Sequence, residues 1–308
     1  MAVYTHVSPD QVAAFLSGRG LGDYKSHEGI TQGVENTNYH LFTTTGRYIL
    51  TIFEKRVDPK GLPFIFAFIK HLANAGIPVP GLVGDVGTLA GKAAAISEFL
   101  PGKDIKRDTI TPDHCAQAGA ILGRMHKAAE TFTQERANEV GPDAWRRLLD
   151  AARQHEGAIL PEAVLQSILS DYGQLDKSVL PRGAVHVDYF QDNVFFDESG
   201  KFSGVIDFYF ACTDTFVYDL AISINCWCFD MNNVPVPARV AAFMQGYEGE
   251  RKLTQEERAA WPVMRRAAAL RYFSTRIYDW VFTPADADVK KHDPSEYLAK
   301  MEAECPLP

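Results

Sequence analysis

The stretch His186-Val187-Asp188-Tyr189-Phe190-Gln191-Asp192-Asn193, with Val205-Ile206-Asp207-Phe208 a short way downstream, decides how this chain reads. Apolar Ala184 to Val187 leads into the first run and apolar Val194 to Phe196 leaves it, so the polar residues fall on a loop between two strands. Turn residues from Asp197 to Lys201 and a third strand, Phe202 to Ile206, complete a hairpin that ends at Asp207.

Phosphoryl transfer to an alcohol asks for few protein groups. One carboxylate must accept the hydroxyl proton and aim the nucleophile, and two oxygen ligands must hold Mg2+ against the phosphates of ATP. His-x-Asp-x-x-x-x-Asn followed by a strand-borne Asp-Phe supplies all three in the order that protein kinases use. Asp188 is the expected base, and Asn193 and Asp207 are the expected metal ligands. His186 belongs to the catalytic set as a support that holds the loop through a hydrogen bond. A polar turn with capping Asp and Asn residues is the plainer explanation of any one of them. The spacing, the hairpin, the second Asp and an upstream sheet together favour the chemistry.

Upstream, a helix is expected over Pro9 to Ser17 with Ser8 as its N-cap. Tyr24 to Ile30, Asn38 to Thr43 and Arg47 to Phe53 alternate in character, and Gly29, Gly33 and Gly46 mark turns, which predicts an antiparallel sheet. Asp58-Pro59 opens a helix with Leu62, Ile65, Phe66, Ile69 and Leu72 at helical spacing, and Gly76 stops it. Two more strands are expected near Leu82 to Val86 and Ala93 to Phe99. From Thr111-Pro112-Asp113 onward the spacing is helical, first with Cys115, Ala118, Leu122, Met125 and Ala129 on one face. Further helices are expected near 143–156, 161–178, 215–230, 235–248 and 263–281. The fold class is therefore α+β with two lobes. Residues 1–97 form an N-terminal antiparallel-sheet lobe for the nucleotide, 98–102 a hinge, and 103–308 a mostly helical lobe for catalysis and substrate.

A net charge of −8 offers no footprint for nucleic acid or an anionic membrane, so the expected partner is a small molecule. Leu62 to Ile69 is too short to span a bilayer. The opening Met1-Ala2-Val3-Tyr4 lacks a basic stretch before an apolar core, and no signal peptide is expected. Cys115, Cys212, Cys226, Cys228 and Cys305 fit neither a disulfide framework nor a zinc site, and buried thiols in a reducing cytoplasm are expected instead.

The chain as a whole resembles the aminoglycoside phosphotransferase and choline kinase superfamily. The opening Gly29-Ile30-Thr31-Gln32-Gly33-Val34-Glu35-Asn36-Thr37-Asn38-Tyr39 is similar to that group's nucleotide-loop hairpin, and Leu122-Gly123-Arg124-Met125-His126 to one of its helices. Three runs narrow the resemblance to the homoserine kinase family on this fold. They are Tyr48 to Lys55, then Ile206 to Cys212 with Asp219 to Ile222, then Arg276 to Trp280 with Asp293 to Leu298. The resemblance implies a two-lobed protein-kinase-like fold and transfer of the ATP γ-phosphate to the hydroxyl of L-homoserine, in threonine biosynthesis. It further implies that Gly33, Asn36, Thr37, Asn38 and Thr51 lie at the phosphates. Glu98, Phe99 and Leu100 at the hinge would bind adenine.

One departure from the broader kinase pattern stands out. Thr51 takes the place of the third-strand lysine that contacts phosphates, and Gly61 to Ala75 holds no Glu to pair with such a lysine. Lys55, Arg56 and Arg47 are candidate substitutes. The near P-loop Gly87-Thr88-Leu89-Ala90-Gly91-Lys92-Ala93 is one residue short and lacks the final Ser or Thr, so it reads as a hairpin turn. For the substrate carboxylate, Arg276 is the expected partner, on a helix stripe with Arg265, Tyr272 and Asp279. Trp227, Tyr278 and Trp280 keep open an aromatic cage for choline. Methylthioribose and aminoglycosides are further alternatives, as is a nucleotide-binding pseudokinase.

Overall fold

Tyr39 and Leu41 alternate with Asn38, His40 and Phe42, and this period of two makes β2 (Thr37–Thr43) a half-buried strand. The computed structural model describes residues 3–31, 36–54, 58–158, 160–283 and 291–308. Antiparallel neighbours β1 (Tyr24–Gly29) and β3 (Arg47–Ile52) flank β2. With β4 (Gly87–Leu89) and β5 (Lys92–Glu98) the order is β1-β2-β3-β5-β4. Helix α1 (Pro9–Leu16) starts at a Ser8–Gln11 capping box and buries Val12, Phe15 and Leu16 with Leu41, Leu50, Ile52 and Ile96 of the sheet. Helix α2 (Leu62–Asn74) buries Leu62, Ile65, Phe68, Ile69 and Leu72.

The fourth strand lies later than its expected place at Leu82 to Val86. Gly84 at φ 72° breaks that segment, which keeps only a bridge from Leu82 to Ser97. The paired residues are instead those of the near P-loop, turning at Ala90 and Gly91 with positive φ. Lys92 on β5 pairs with Glu54, and Thr5 and Thr37 join the same carboxylate. That cluster ties the N-terminal segment to the sheet.

Residues Met1–Pro101 form one compact unit and Gly102–Pro308 a second. The second contains α3 (Pro112–Ala129), α4 (Pro142–Arg153), α5 (Glu162–Gln174), α6 (Phe216–Trp227), α7 (Pro237–Glu250), α8 (Gln255–Phe282) and α9 (Ser295–Glu302). Two small ribbons stand among them: β6 (Arg182–Val185) with β9 (Cys212–Thr215), and β7 (Val194–Phe196) with β8 (Phe202–Val205). Strand β9 and helix α9 have no counterpart in the sequence reading. Helix α8 starts well before position 263. A Thr254–Glu257 capping box opens it, and it continues through Pro262 because its long buried face outweighs one lost hydrogen bond. No helix among the described residues is long and apolar enough to cross a membrane.

Candidate active site

Strand β6 ends at Val185, and the chain turns sharply at Val187, whose φ of 53° is an unfavourable value for a β-branched residue. Such a conformation costs about 1–3 kcal/mol and needs outside support. Asp219 of α6 supplies it: its two carboxylate oxygens accept from the backbone N–H groups of His186 (2.9 Å) and Val187 (2.8 Å). Bonds to a charged acceptor contribute about 1.5–3 kcal/mol each, so the grip outweighs the strain. His186 is fully buried. Its Nδ1 accepts from the Asp188 N–H at 3.2 Å, so Nε2 carries the proton and donates to the Ile206 carbonyl at 3.0 Å. The imidazole thus joins the two halves of the predicted motif.

Asp188 emerges from this turn with its side chain 20% exposed. The Tyr272 hydroxyl lies 2.9 Å from both Asp188 Oδ1 and the Val187 carbonyl. Asn193 Nδ2 donates to the Asp188 carbonyl (2.9 Å) and approaches Oδ2 at 3.3 Å. The Asn193 N–H₂ group is thereby engaged on the loop, and its amide oxygen is left as a possible ligand. Asp207 follows β8 with φ 63°, a second left-handed non-glycine residue in the motif. The Ile206 N–H donates to the Asn193 carbonyl at 2.9 Å, which holds the Asp207 strand end beside the loop.

Behind Asp219 runs a buried chain of polar groups. His126 Nε2 lies 3.1 Å from Asp219 Oδ2, and its Nδ1 is 2.8 Å from the Tyr247 hydroxyl. Arg251 donates to that hydroxyl and to both oxygens of Glu257. Burial pushes the His126 pKa below its usual range, so the ring is neutral and donates from Nε2. Burial alone would raise the Asp219 carboxyl. The hydrogen bond from His126, with that from the His186 backbone N–H, reverses this and holds it low. Sequence reading noted both residues only as parts of longer runs. A signal was present: Asp219 is the one carboxylate in the otherwise uncharged α6, and all of α6 is buried.

The stripe on α8 divides differently from the expectation. Arg265 donates to the carbonyls of Lys300 and Ala303 and so anchors the C-terminal segment. Arg276 pairs with Glu296 of α9 and lies 4.5 Å over the Tyr297 ring. Burial would raise the Glu296 carboxyl, but Lys300 and Arg276 hold it at about 2. Arg276 therefore already serves a carboxylate of the chain itself. Only Tyr272 of that stripe reaches Asp188. Its neighbour Arg271, which the sequence reading passed over, lies 3.9 Å from Asp188 Oδ1. Trp227 is buried and donates to the Tyr189 carbonyl, whereas Trp280 is exposed, so the two do not share a cage.

In the first unit the side chains expected at the phosphates turn inward. Thr37 is fully buried, accepts from the N–H groups of Tyr4 and Thr5, and donates to Glu54. Thr51 donates to Asn38 Oδ1 at 2.7 Å across the β2–β3 pair. Asn36 Oδ1 accepts from the Glu54 N–H. Gly33, Lys55 and Arg56 lie outside the described residues. Arg47 stacks 3.8 Å over the Phe99 ring. The Glu98 carboxylate accepts from the Gly81 N–H, and Leu100 follows just beyond β5.

Residues 26–262 match the phosphotransferase enzyme family. The chain is 46% identical to the homoserine kinase of Gluconacetobacter diazotrophicus, over 98% of this chain and 96% of that one. It is 42% identical to the homoserine kinase of Chelativorans sp., over 98% and 95%. The chain belongs to the homoserine kinase family of phosphotransferases. Solved structures share the family's kinase-like α+β fold at much lower identity. Amicoumacin kinase in complex with AMP-PNP and Ca2+ superposes with a TM-score of 0.70 at 20% identity, covering 95% of this chain and 92% of that one. Choline kinase from Cryptosporidium parvum gives 0.67 at 13% identity, covering 96% and 93%.

Proposed function

We propose that this chain transfers the γ-phosphoryl group of ATP to the side-chain hydroxyl of L-homoserine, giving O-phospho-L-homoserine on the route to threonine. The observation that carries this reading is the Asp188 carboxylate, held by Tyr272 on one oxygen and by Asn193 on the other, yet still partly open. Each oxygen keeps a lone pair for a substrate hydroxyl. Asp188 accepts the hydroxyl proton and orients the oxygen for attack, a role that needs position more than unusual basicity. His186 and Asp219 keep the turn at Val187 from relaxing and so keep Asp188 aimed.

Asn193 and Asp207 fit Mg2+. Both offer hard oxygen ligands, and the Asn193 amide is turned so that its nitrogen is used within the loop. Among the described residues no group of three His, Cys, Asp or Glu forms a full metal cage. Mg2+ needs none, since it keeps waters and phosphate oxygens in its shell. When bound, it neutralises charge on the phosphates. Backbone groups of Glu98, Phe99 and Leu100 serve adenine. With the side chains of Thr37 and Thr51 used internally, phosphate contact from the β1–β2 segment falls to backbone amides. Five unpaired, buried cysteines suit a reducing cytoplasm.

Coupled detection of ADP with L-homoserine, choline, methylthioribose and an aminoglycoside as acceptors tests the proposal. Homoserine should give kcat/KM at least tenfold above every other acceptor. Preference for another alcohol, or turnover with none, would overturn it.

A further inference from the structure

We infer that Arg271 receives the α-carboxylate of the acceptor amino acid and sets the preference for an acid-bearing alcohol. This rests on the homoserine reading above and adds the binding partner that reading lacks. Arg271 lies on α8 with its side chain only 5% exposed. Its guanidinium stacks 3.8 Å over the Tyr272 ring and 5.6 Å from the Phe210 ring. It donates no hydrogen bond to any described residue, and its Nε is buried without a partner. The nearest opposite charge, Asp188 Oδ1, stands at 3.9 Å, beyond hydrogen-bond reach. A buried guanidinium with its fork unfilled is expensive unless an anion completes it.

Position selects which anion. Arg271 and Tyr272 approach Asp188 at Oδ1, whereas Asn193, the metal-side amide, approaches Oδ2. The unfilled fork therefore lies on the side of the base away from that amide. Homoserine spans about 5 Å from hydroxyl oxygen to carboxylate carbon, judged from ordinary bond lengths. A hydroxyl on Asp188 and a carboxylate on the adjacent fork fit within that reach. The planar donors of arginine match a carboxylate in two-pronged fashion, and flanking rings keep the guanidinium in one orientation.

The test compares L-homoserine with 3-aminopropan-1-ol, which keeps the hydroxyl and ammonium but lacks the carboxylate. The parent enzyme should favour homoserine by on the order of 10²-fold or more in kcat/KM. In Arg271→Gln that preference should fall at least tenfold, through a raised KM for homoserine, with KM for ATP unchanged. Arg271→Lys, which keeps charge but loses the fork, should fall between. If Arg271→Gln lowers both acceptors equally, the residue serves the phosphoryl group or Asp188 instead, and the inference is wrong. Should Arg271→Gln fail to fold, the lysine variant and the carboxamide of L-homoserine on the parent enzyme decide. Equal use of homoserine and its amide would overturn the assignment. A parent enzyme inactive on homoserine would sink the functional proposal. Undiminished discrimination in a folded Arg271→Gln would sink only this one.

Discussion

Asp188 is held on three sides by groups from different parts of the second unit. The His186 ring accepts from its backbone, Asn193 lies across the loop, and Tyr272 reaches over from α8. Asp188→Asn preserves the shape of the side chain but removes the basic oxygen pair. It should lower kcat by on the order of 10²–10⁴ with little change in thermal stability. Steady-state kinetics within a factor of two of the parent would remove Asp188 from the role of base. The loop members were legible because their chemistry is encoded in short spacing, from His186 to Asn193 and on to Asp207. Arg271, Tyr272 and Asp219 meet that loop from elsewhere in the chain. No local pattern distinguishes Arg271 from Arg276 five residues on, and only the position of Glu296 shows that Arg276 is already occupied.

Helices α3 and α7 bring the buried polar chain together, and glycines let them do so. A Cβ on Gly119 would stand 2.1 Å from the Phe243 carbonyl oxygen, and one on Gly246 would stand 2.0 Å from that of Ala116. This close crossing allows Tyr247 of α7 to reach His126 of α3. By helix propensity alone, Gly246→Ala would stabilise α7 by roughly 0.5–1 kcal/mol. The clash is with backbone, which cannot rotate away, and overpacking costs about 1–3 kcal/mol or more. Urea unfolding should therefore show a net loss of stability, with turnover reduced as the Tyr247–His126–Asp219 link lengthens. A variant as stable as the parent would refute the crossing argument. Most helices and the sheet were readable from apolar spacing and caps. Strand β9 was not, since Cys212-Thr213-Asp214-Thr215 has no apolar alternation and gains its pairing only from β6. Nor was the start of α8, because Pro262 reads locally as a stop although the helix runs through it.

For the molecule as a whole, buried histidines make acid the weak side of stability. His126 and His186 are fully buried, and loss of hydration is the largest cause lowering both pKa values below the ordinary 6.5. His40 and His114 shift the same way for the same reason. A histidine with a lowered folded pKa stays neutral in the native state while the unfolded chain takes up the proton. Its contribution is thus complete above pH 6.5 and is lost as pH falls toward the folded pKa, at about 1.4 kcal/mol per pH unit for each unmatched proton. Two carboxyls oppose this. Desolvation and the charges of Asp188 and Asp104 push Asp192 up to about 6, and burial raises Asp214, so the folded state binds protons there first. These two carboxyls offset part of the histidine loss below about pH 6. Asp219 and Glu296, both lowered, add their loss only below about pH 4.5. The upper end of the window is pH 7, since Lys300, pushed down to about 8 by burial, is already half neutral in the folded state at pH 8. Urea midpoints should fall steadily from pH 7 to pH 5. A midpoint unchanged between pH 7 and pH 5 would mean that protonation of these histidines is not what limits the fold in acid.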